Sequence, residues 1–289
     1  MVERYISSEE ASNILGVNVS TIKRWADKGQ IDCEITAGGH RKFLMRQIAT
    51  FLNEHSKYRS RLNVLPYDSS EQRQLNQLII KRHISELRDI FYSKSIDGDR
   101  EICQHIINGL YLAGLQLHEI YDHLVSPVLS RIGEAWVNGD LEVYSEHVAS
   151  KVVQGCIHGM YSVLQRPRKT LGLALCIGLK DDHHEMPLFI TEQILLDKGF
   201  DVINVGTDTP LKKIKTLFKE SNPDRLYIAS TVAKDPKSVE GDVVKLFALA
   251  NSCNTLVFLG GRGFEHVRLP VNGNYKILSS FSELAETSE

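Results

Sequence analysis

Residues 171–187 read Leu171-Gly172-Leu173-Ala174-Leu175-Cys176-Ile177-Gly178-Leu179-Lys180-Asp181-Asp182-His183-His184-Glu185-Met186-Pro187. Leu171–Ile177 is a short apolar run, the length of a strand rather than of a helix. Asp181–Pro187 is polar, and an apolar helical pattern follows over 187–199. The same alternation continues downstream. Apolar runs at Val202–Val205, Leu226–Ala229, Thr255–Leu259 and Tyr275–Leu278 are separated by helical stretches near 210–220 and 237–251. Short apolar strands joined by helices predict a parallel sheet covered on both faces. Five such strands fit a flavodoxin-like (Rossmann-type) doubly wound α/β domain over 167–289, whose ligands sit beyond the carboxyl ends of the strands.

Upstream, residues 71–166 read as helix throughout. Apolar positions at spacings of three and four form four stripes: Leu75, Ile79, Leu87 and Ile90; then Cys103, Ile106, Ile107, Leu110, Gly114 and Leu117; then Ile120, Leu124, Val128, Ile132 and Ala135; then Ala149, Val152, Val153, Cys156, Met160 and Val163. Four amphipathic helices with short links predict a four-helix bundle. Residues 56–70 are polar, from Ser56 to Arg61 and again over Pro66-Tyr67-Asp68-Ser69-Ser70, and read as a linker. The chain is thus multidomain, α and then α/β.

Residues 1–55 form a third pattern. Ser7-Ser8-Glu9-Glu10-Ala11 carries a helix-capping signal. Gly16-Val17-Asn18 makes a tight turn before a second helix, on which Ile22 and Trp25 face inward. Ser20, Thr21, Lys23 and Arg24 then face outward, as a recognition helix requires. Gly38-Gly39 permits a hairpin tip, and His40, Arg41 and Lys42 follow where a wing touches phosphates. The pattern is that of a winged helix-turn-helix. Charge agrees with it. Residues 1–61 hold 10 Lys/Arg against 7 Asp/Glu, while the rest hold 24 against 29. A basic head on an acidic body faces a polyanion with the head alone.

No run of apolar residues is long enough to span a membrane, and the N-terminus lacks the apolar core of a signal peptide. The cysteines at 33, 103, 156, 176 and 253 are odd in number, widely spaced and without a C-x-x-C. That argues against a disulfide framework or a zinc site, and for a reducing, cytoplasmic location.

The loop Asp181–Pro187 carries the chemistry. Imidazole is a good ligand for a transition metal, and a carboxylate two residues away can take its other ring N–H. Two further loops end at the same edge of the predicted sheet: Ser230-Thr231-Val232 and Gly260-Gly261. In the helical region, Trp136 and the pair Glu146-His147 place an aromatic plane near a carboxylate and an imidazole, a set that can stack on and hydrogen-bond a nucleoside.

These residues carry a resemblance. Asp182, His184, Ser230, Gly260 and Gly261 match the D-x-H-x-x-G, S-x-L and G-G pattern of the cobalamin-binding domain of methionine synthase and the corrinoid proteins. The spacing from Asp182 to Gly206 fits as well. Val232 stands for the leucine of that pattern, and Pro187 for its glycine. Proline removes an N–H there, although it is tolerated at a helix start. The head, over about residues 4–54, resembles the DNA-binding domain of MerR-family regulators. The spacing Trp136-x9-Glu146-His147 resembles that of light-responsive cobalamin repressors of the CarH and LitR type. The resemblance implies a non-enzymatic repressor with adenosylcobalamin as cofactor. His184 would be the lower cobalt ligand, oriented by Asp182. Ser230, Val232, Gly260 and Gly261 would line the slot for the displaced nucleotide tail, and Trp136, Glu146 and His147 would cap the adenosyl group. It also implies paired heads on double-stranded operator DNA, a ligand-dependent homodimer or homotetramer, and release of DNA when light removes the adenosyl group. Two other readings remain open. One is a MerR-type regulator that works without cobalamin, which Pro187 favours. The other is a corrinoid carrier for methyl transfer, against which the head counts.

Overall fold

The computed structural model describes residues 5–65, 69–167, 169–208, 210–270 and 274–288. The chain divides into two compact units, Met1–Gln165 and Arg166–Glu289.

The first unit opens with the predicted winged helix-turn-helix. Ser7 caps α1 (Ser8–Leu15): its hydroxyl accepts the Glu10 N–H, and the Glu10 carboxylate accepts the Ser7 N–H. Gly16 then turns the chain with φ 61°, and a Cβ there would lie 2.4 Å from the Arg61 carbonyl oxygen, so only glycine fits. Asn18 caps α2 (Val19–Asp27) through the Ser20 N–H. β1 (Tyr5–Ser7), β2 (Glu34–Ile35) and β3 (Arg41–Leu44) pair antiparallel in the order β1-β3-β2, and α3 (Met45–Glu54) completes the head.

The stretch predicted as a linker is not a free tether. Ser56–Arg61 forms a 3-10 turn, and Tyr58 packs on Trp25 and Phe51. Leu62 and Leu65 are buried. Asn76 of α4 (Ser70–Lys81) accepts the Val64 N–H at 3.1 Å and donates to the Leu62 carbonyl at 3.0 Å. The head's core runs on into Leu112, Ala113 and Val163 of the helical segment. Three apolar anchors, Tyr58, Leu62 and Leu65, thus outweigh the polar composition around them. Pro66, Tyr67 and Asp68 lie outside the described residues.

The helical segment has one rod more than its stripes suggested. Leu75 and Ile79 lie on α4, and Leu87 and Ile90 on α5 (Ile84–Ile96). Arg82, left-handed at φ 57°, breaks the helix between them. After α6 (Arg100–Leu112), Gly114 at φ 87° starts a new rod. It comprises α7 (Leu117–Ile120), a π-helical turn at Tyr121–Val125 and α8 (Ser126–Val137), so Leu117 opens the third rod rather than closing the second. With α9 (Val143–Gly159), these rods form the four-helix bundle, and α4 packs beside α5 and α6.

The second unit contains β4 (Leu173–Gly178), α10 (Met186–Lys198), β5 (Asp201–Asn204), α11 (Leu211–Ser221), β6 (Arg225–Ala229), α12 (Pro236–Ser252), β7 (Leu256–Gly260), β8 (Tyr275–Leu278) and α13 (Phe281–Glu286). The strands are parallel in the order β5-β4-β6-β7-β8, which is the flavodoxin-like order. Gly178 pairs with Ala229, and Ala229 with Gly260. β4, β6 and β7 therefore finish in one row, and the loops that follow them emerge side by side.

Candidate functional site

The row of strand ends gathers Asp182, His184, Ser230, Val232, Gly260 and Gly261, as predicted. Asp182 is 3% exposed. One of its oxygens accepts the His184 backbone N–H at 3.1 Å and lies 2.6 Å from Nδ1 of the His184 ring. Its other oxygen accepts the N–H groups of Thr231 and Val232. Burial alone would raise the Asp182 pKa. The hydrogen bonds from the His184 ring and from the Thr231, His184 and Val232 backbone prevail and hold it below its ordinary value. The carboxylate thus fixes the ring through Nδ1 and leaves Nε2 as the nitrogen for a metal. The His184 side chain is 51% exposed.

The loops after β6 and β7 pack against one another: the Ser230 N–H donates to the Gly260 carbonyl at 3.0 Å and the Gly263 N–H to the Ser230 carbonyl at 2.9 Å. Ser230 is buried, and its hydroxyl oxygen has no partner among the described residues. Gly261, at φ 108°, passes so close to Ser230 that a Cβ would lie 2.1 Å from the Ser230 carbonyl oxygen. A Cβ on Gly260 would instead meet open space, as would one on Gly206. The buried Ser230 hydroxyl, which lies against Gly263, and the open space over Gly260 and Gly206 are two features that fit an extended polar group, such as the nucleotide tail of a corrinoid. Among the described residues no group of three or more His, Cys, Asp and Glu could hold a metal ion. Pro187 sits in the first turn of α10, where a backbone N–H has no helical partner, so its missing donor leaves the helix intact. A groove of about 950 Å³ runs between α11 and α12, lined by Leu211, Leu246, Leu249 and three lysines, and none of the site residues borders it.

In the helical unit, Trp136 lies in the last turn of α8 and is 49% exposed; Val137 and, on α9, Val143, Tyr144 and Val148 are also exposed. Glu146 and His147 come together. The Glu146 carboxylate accepts the Ser150 hydroxyl at 2.6 Å and lies 2.8 Å from His147 Nδ1, which is also 2.8 Å from the Val143 carbonyl. Exposed large apolar side chains gathered in one stretch of the chain are the kind of surface that a ligand or partner covers. Ser150 was not evident from the sequence, where a lone serine one turn past a glutamate carries no signal.

In the head, Ser20, Lys23, Arg24 and His40 are exposed, and Thr21 and Lys42 are half-buried. Ser20 spends its hydroxyl on Asn18 at 2.9 Å. Arg41 differs from expectation: its guanidinium is held by Asp27, at the end of α2, rather than presented to solvent.

Comparisons with known proteins match two regions of the chain and, more loosely, most of its length. The helix-turn-helix domain family matches residues 5–56, and the B12 binding domain family matches residues 87–158. The HTH-type transcriptional repressor CarH of Myxococcus xanthus is 21% identical over 263 residues, covering 85% of each chain. The HTH-type transcriptional repressor CarA of the same organism is 26% identical over 206 residues, covering 70% of this chain and 65% of the other. The monomethylamine corrinoid protein of Methanosarcina barkeri shares the fold, with a TM-score of 0.58 at 13% identity, covering 71% of this chain and 97% of that one. A helix-turn-helix head joined to a B12-binding body defines a cobalamin-binding transcriptional regulator. Along most of its length the chain is similar to the CarH and CarA repressors.

Proposed function

We propose that this protein is a MerR-type repressor that uses adenosylcobalamin as a light sensor. The pair Asp182–His184 carries the reading: a buried carboxylate holds Nδ1 of an exposed imidazole at the strand ends. Nε2 of His184 would hold the cobalt of the cofactor, with Asp182 setting the tautomer and basicity of the ring. Ser230, Val232, Gly260 and Gly261 take the nucleotide tail, and Trp136, Glu146 and His147 take the adenosyl group. When bound, adenosylcobalamin supplies a cobalt–carbon bond that light breaks.

The remaining work belongs to the protein. In the dark, the apolar surface around Trp136 is covered, and the chain assembles into an oligomer that presents paired heads to double-stranded operator DNA. Lys23, Arg24, His40 and Lys42 contact phosphates and groove edges. Once the adenosyl group is lost, that surface is uncovered, the oligomer separates and the DNA is released. A ligand that binds only the assembled state favours it by mass action. The protein acts as a regulator and turns over no substrate.

The test is an absorption titration of the full chain with adenosylcobalamin in darkness. The wild type is expected to take up the cofactor with the spectrum of a histidine-ligated cobalt, and His184→Ala to lose that spectrum and most of the affinity. Histidine ligation that survives in His184→Ala overturns the assignment. A wild-type chain that takes up no cobalamin supports the cobalamin-independent reading instead.

A further inference from the structure

Asp27 places a carboxylate where a DNA-binding face should avoid one. It is the last residue of α2, the helix that presents Ser20, Lys23 and Arg24, and its side chain is 58% exposed. Beside a polyanion, an unpaired carboxylate opposes binding. Here it is paired with Arg41, the first residue of β3, whose Nη2 donates to Asp27 Oδ1. The Arg41 side chain is only 22% exposed and its Nε is buried, so the guanidinium lies in against the end of α2. The contact crosses 14 residues of sequence and joins the two elements that read DNA, the recognition helix and the wing. The wing tip is closed on itself: Thr36 N–H donates to the His40 carbonyl at 2.9 Å, His40 N–H to Thr36 Oγ1 at 3.2 Å and Gly39 N–H to the Thr36 carbonyl at 2.8 Å. Its first strand, β2, is two exposed residues long.

We propose that Asp27 is a positioning residue for DNA binding. Through Arg41 it holds the wing at a fixed angle to α2, so that His40 and Lys42, and not Arg41, are the wing's phosphate donors. The proposal rests on the DNA-binding reading of the head. It competes with a simpler role for Asp27 as a brake that neutralises a phosphate-binding arginine. The two differ in sign. Removing a brake tightens binding and adds one phosphate contact to the salt dependence. Removing a positioning residue weakens binding, although the head has gained positive charge.

The experiment uses the full chain with adenosylcobalamin in darkness, and fluorescence anisotropy with a mixed-sequence duplex of roughly 30 base pairs over a salt series. Wild type, Asp27→Asn and Asp27→Glu are compared, with thermal denaturation alongside. Asp27→Asn is expected to bind about three- to ten-fold more weakly, with an unchanged salt slope and an unchanged melting temperature. Asp27→Glu, which keeps the ion pair, is expected within about two-fold of wild type. Equal or tighter binding by Asp27→Asn overturns the proposal, as does a Glu variant no better than the Asn variant. A loss of binding that tracks a lower melting temperature assigns Asp27 to stability alone and overturns it too. A wild type that binds no duplex, with or without cobalamin, is a separate outcome: it removes the DNA-binding reading and the proposal with it.

Discussion

Replacing Asp182 with alanine removes the acceptor of four hydrogen bonds at once, from the His184 ring, the His184 N–H, the Thr231 N–H and the Val232 N–H. Water can reach the donors on His184 and Val232, which are exposed, while Thr231 is half-buried. A buried donor left unsatisfied costs about 1–3 kcal/mol, and an exposed one much less, so the second unit should lose about 2–3 kcal/mol. The His184 ring also loses its orienting partner, a change that typically lowers metal affinity about 10–100-fold. Asp182→Asn keeps the shape but turns an amino group toward a donor, and should fall between alanine and wild type. The effect depends on pH. Because the folded-state pKa is depressed, the stabilisation is complete above the unfolded pKa near 4 and is lost as pH falls through the lower folded value. The gap between wild type and Asp182→Ala should therefore be full at neutral pH and close below about pH 4. Urea denaturation measures the stability, and a dark titration with adenosylcobalamin measures the affinity. An alanine variant with wild-type urea midpoint and wild-type affinity would refute the reasoning.

Gly261→Ala forces a side chain against the Ser230 carbonyl at a left-handed φ, and should lower both stability, by about 1–3 kcal/mol, and cobalamin uptake. Gly260→Ala should leave stability within about 0.5 kcal/mol yet weaken cobalamin binding, because its Cβ meets no protein atom and enters the space proposed for the tail; equal cofactor affinity would place the tail elsewhere. Replacing Lys23 and Arg24 together with alanine should weaken duplex binding and reduce the anisotropy salt slope by about two contacts. Trp136→Ala should still bind corrinoid through His184 but assemble equally, by size-exclusion chromatography, with adenosyl-, methyl- and hydroxocobalamin.

The α/β unit was legible because its periodicity and its chemistry fall on the same short segments. Each apolar run is bounded by polar turns, and the strand ends carry the residues that mark the site. Asp182 and His184 lie two residues apart, so their contact is local and readable. The helical unit was less legible. Leu75 to Ile90 keeps a plausible spacing across Arg82, and nothing in the residue types of Lys81-Arg82-His83 marks the left-handed break. The linker misled for a similar reason, since average polarity says nothing about Tyr58, Leu62 and Leu65, which anchor it. Arg41 was assigned by type, as a cation on a wing. Its partner Asp27 lies on another element, and only the fold brings them together.

In the proposed switch, the state of one cofactor ligand sets the assembly that holds DNA. The most direct measurement is size-exclusion chromatography of the full chain with adenosylcobalamin and a labelled duplex, run in darkness and again after green light. A larger oligomer that carries the duplex is expected in the dark, and a smaller species eluting apart from free duplex after illumination. An unchanged elution and an unchanged DNA complex after complete photolysis of the cofactor would contradict it.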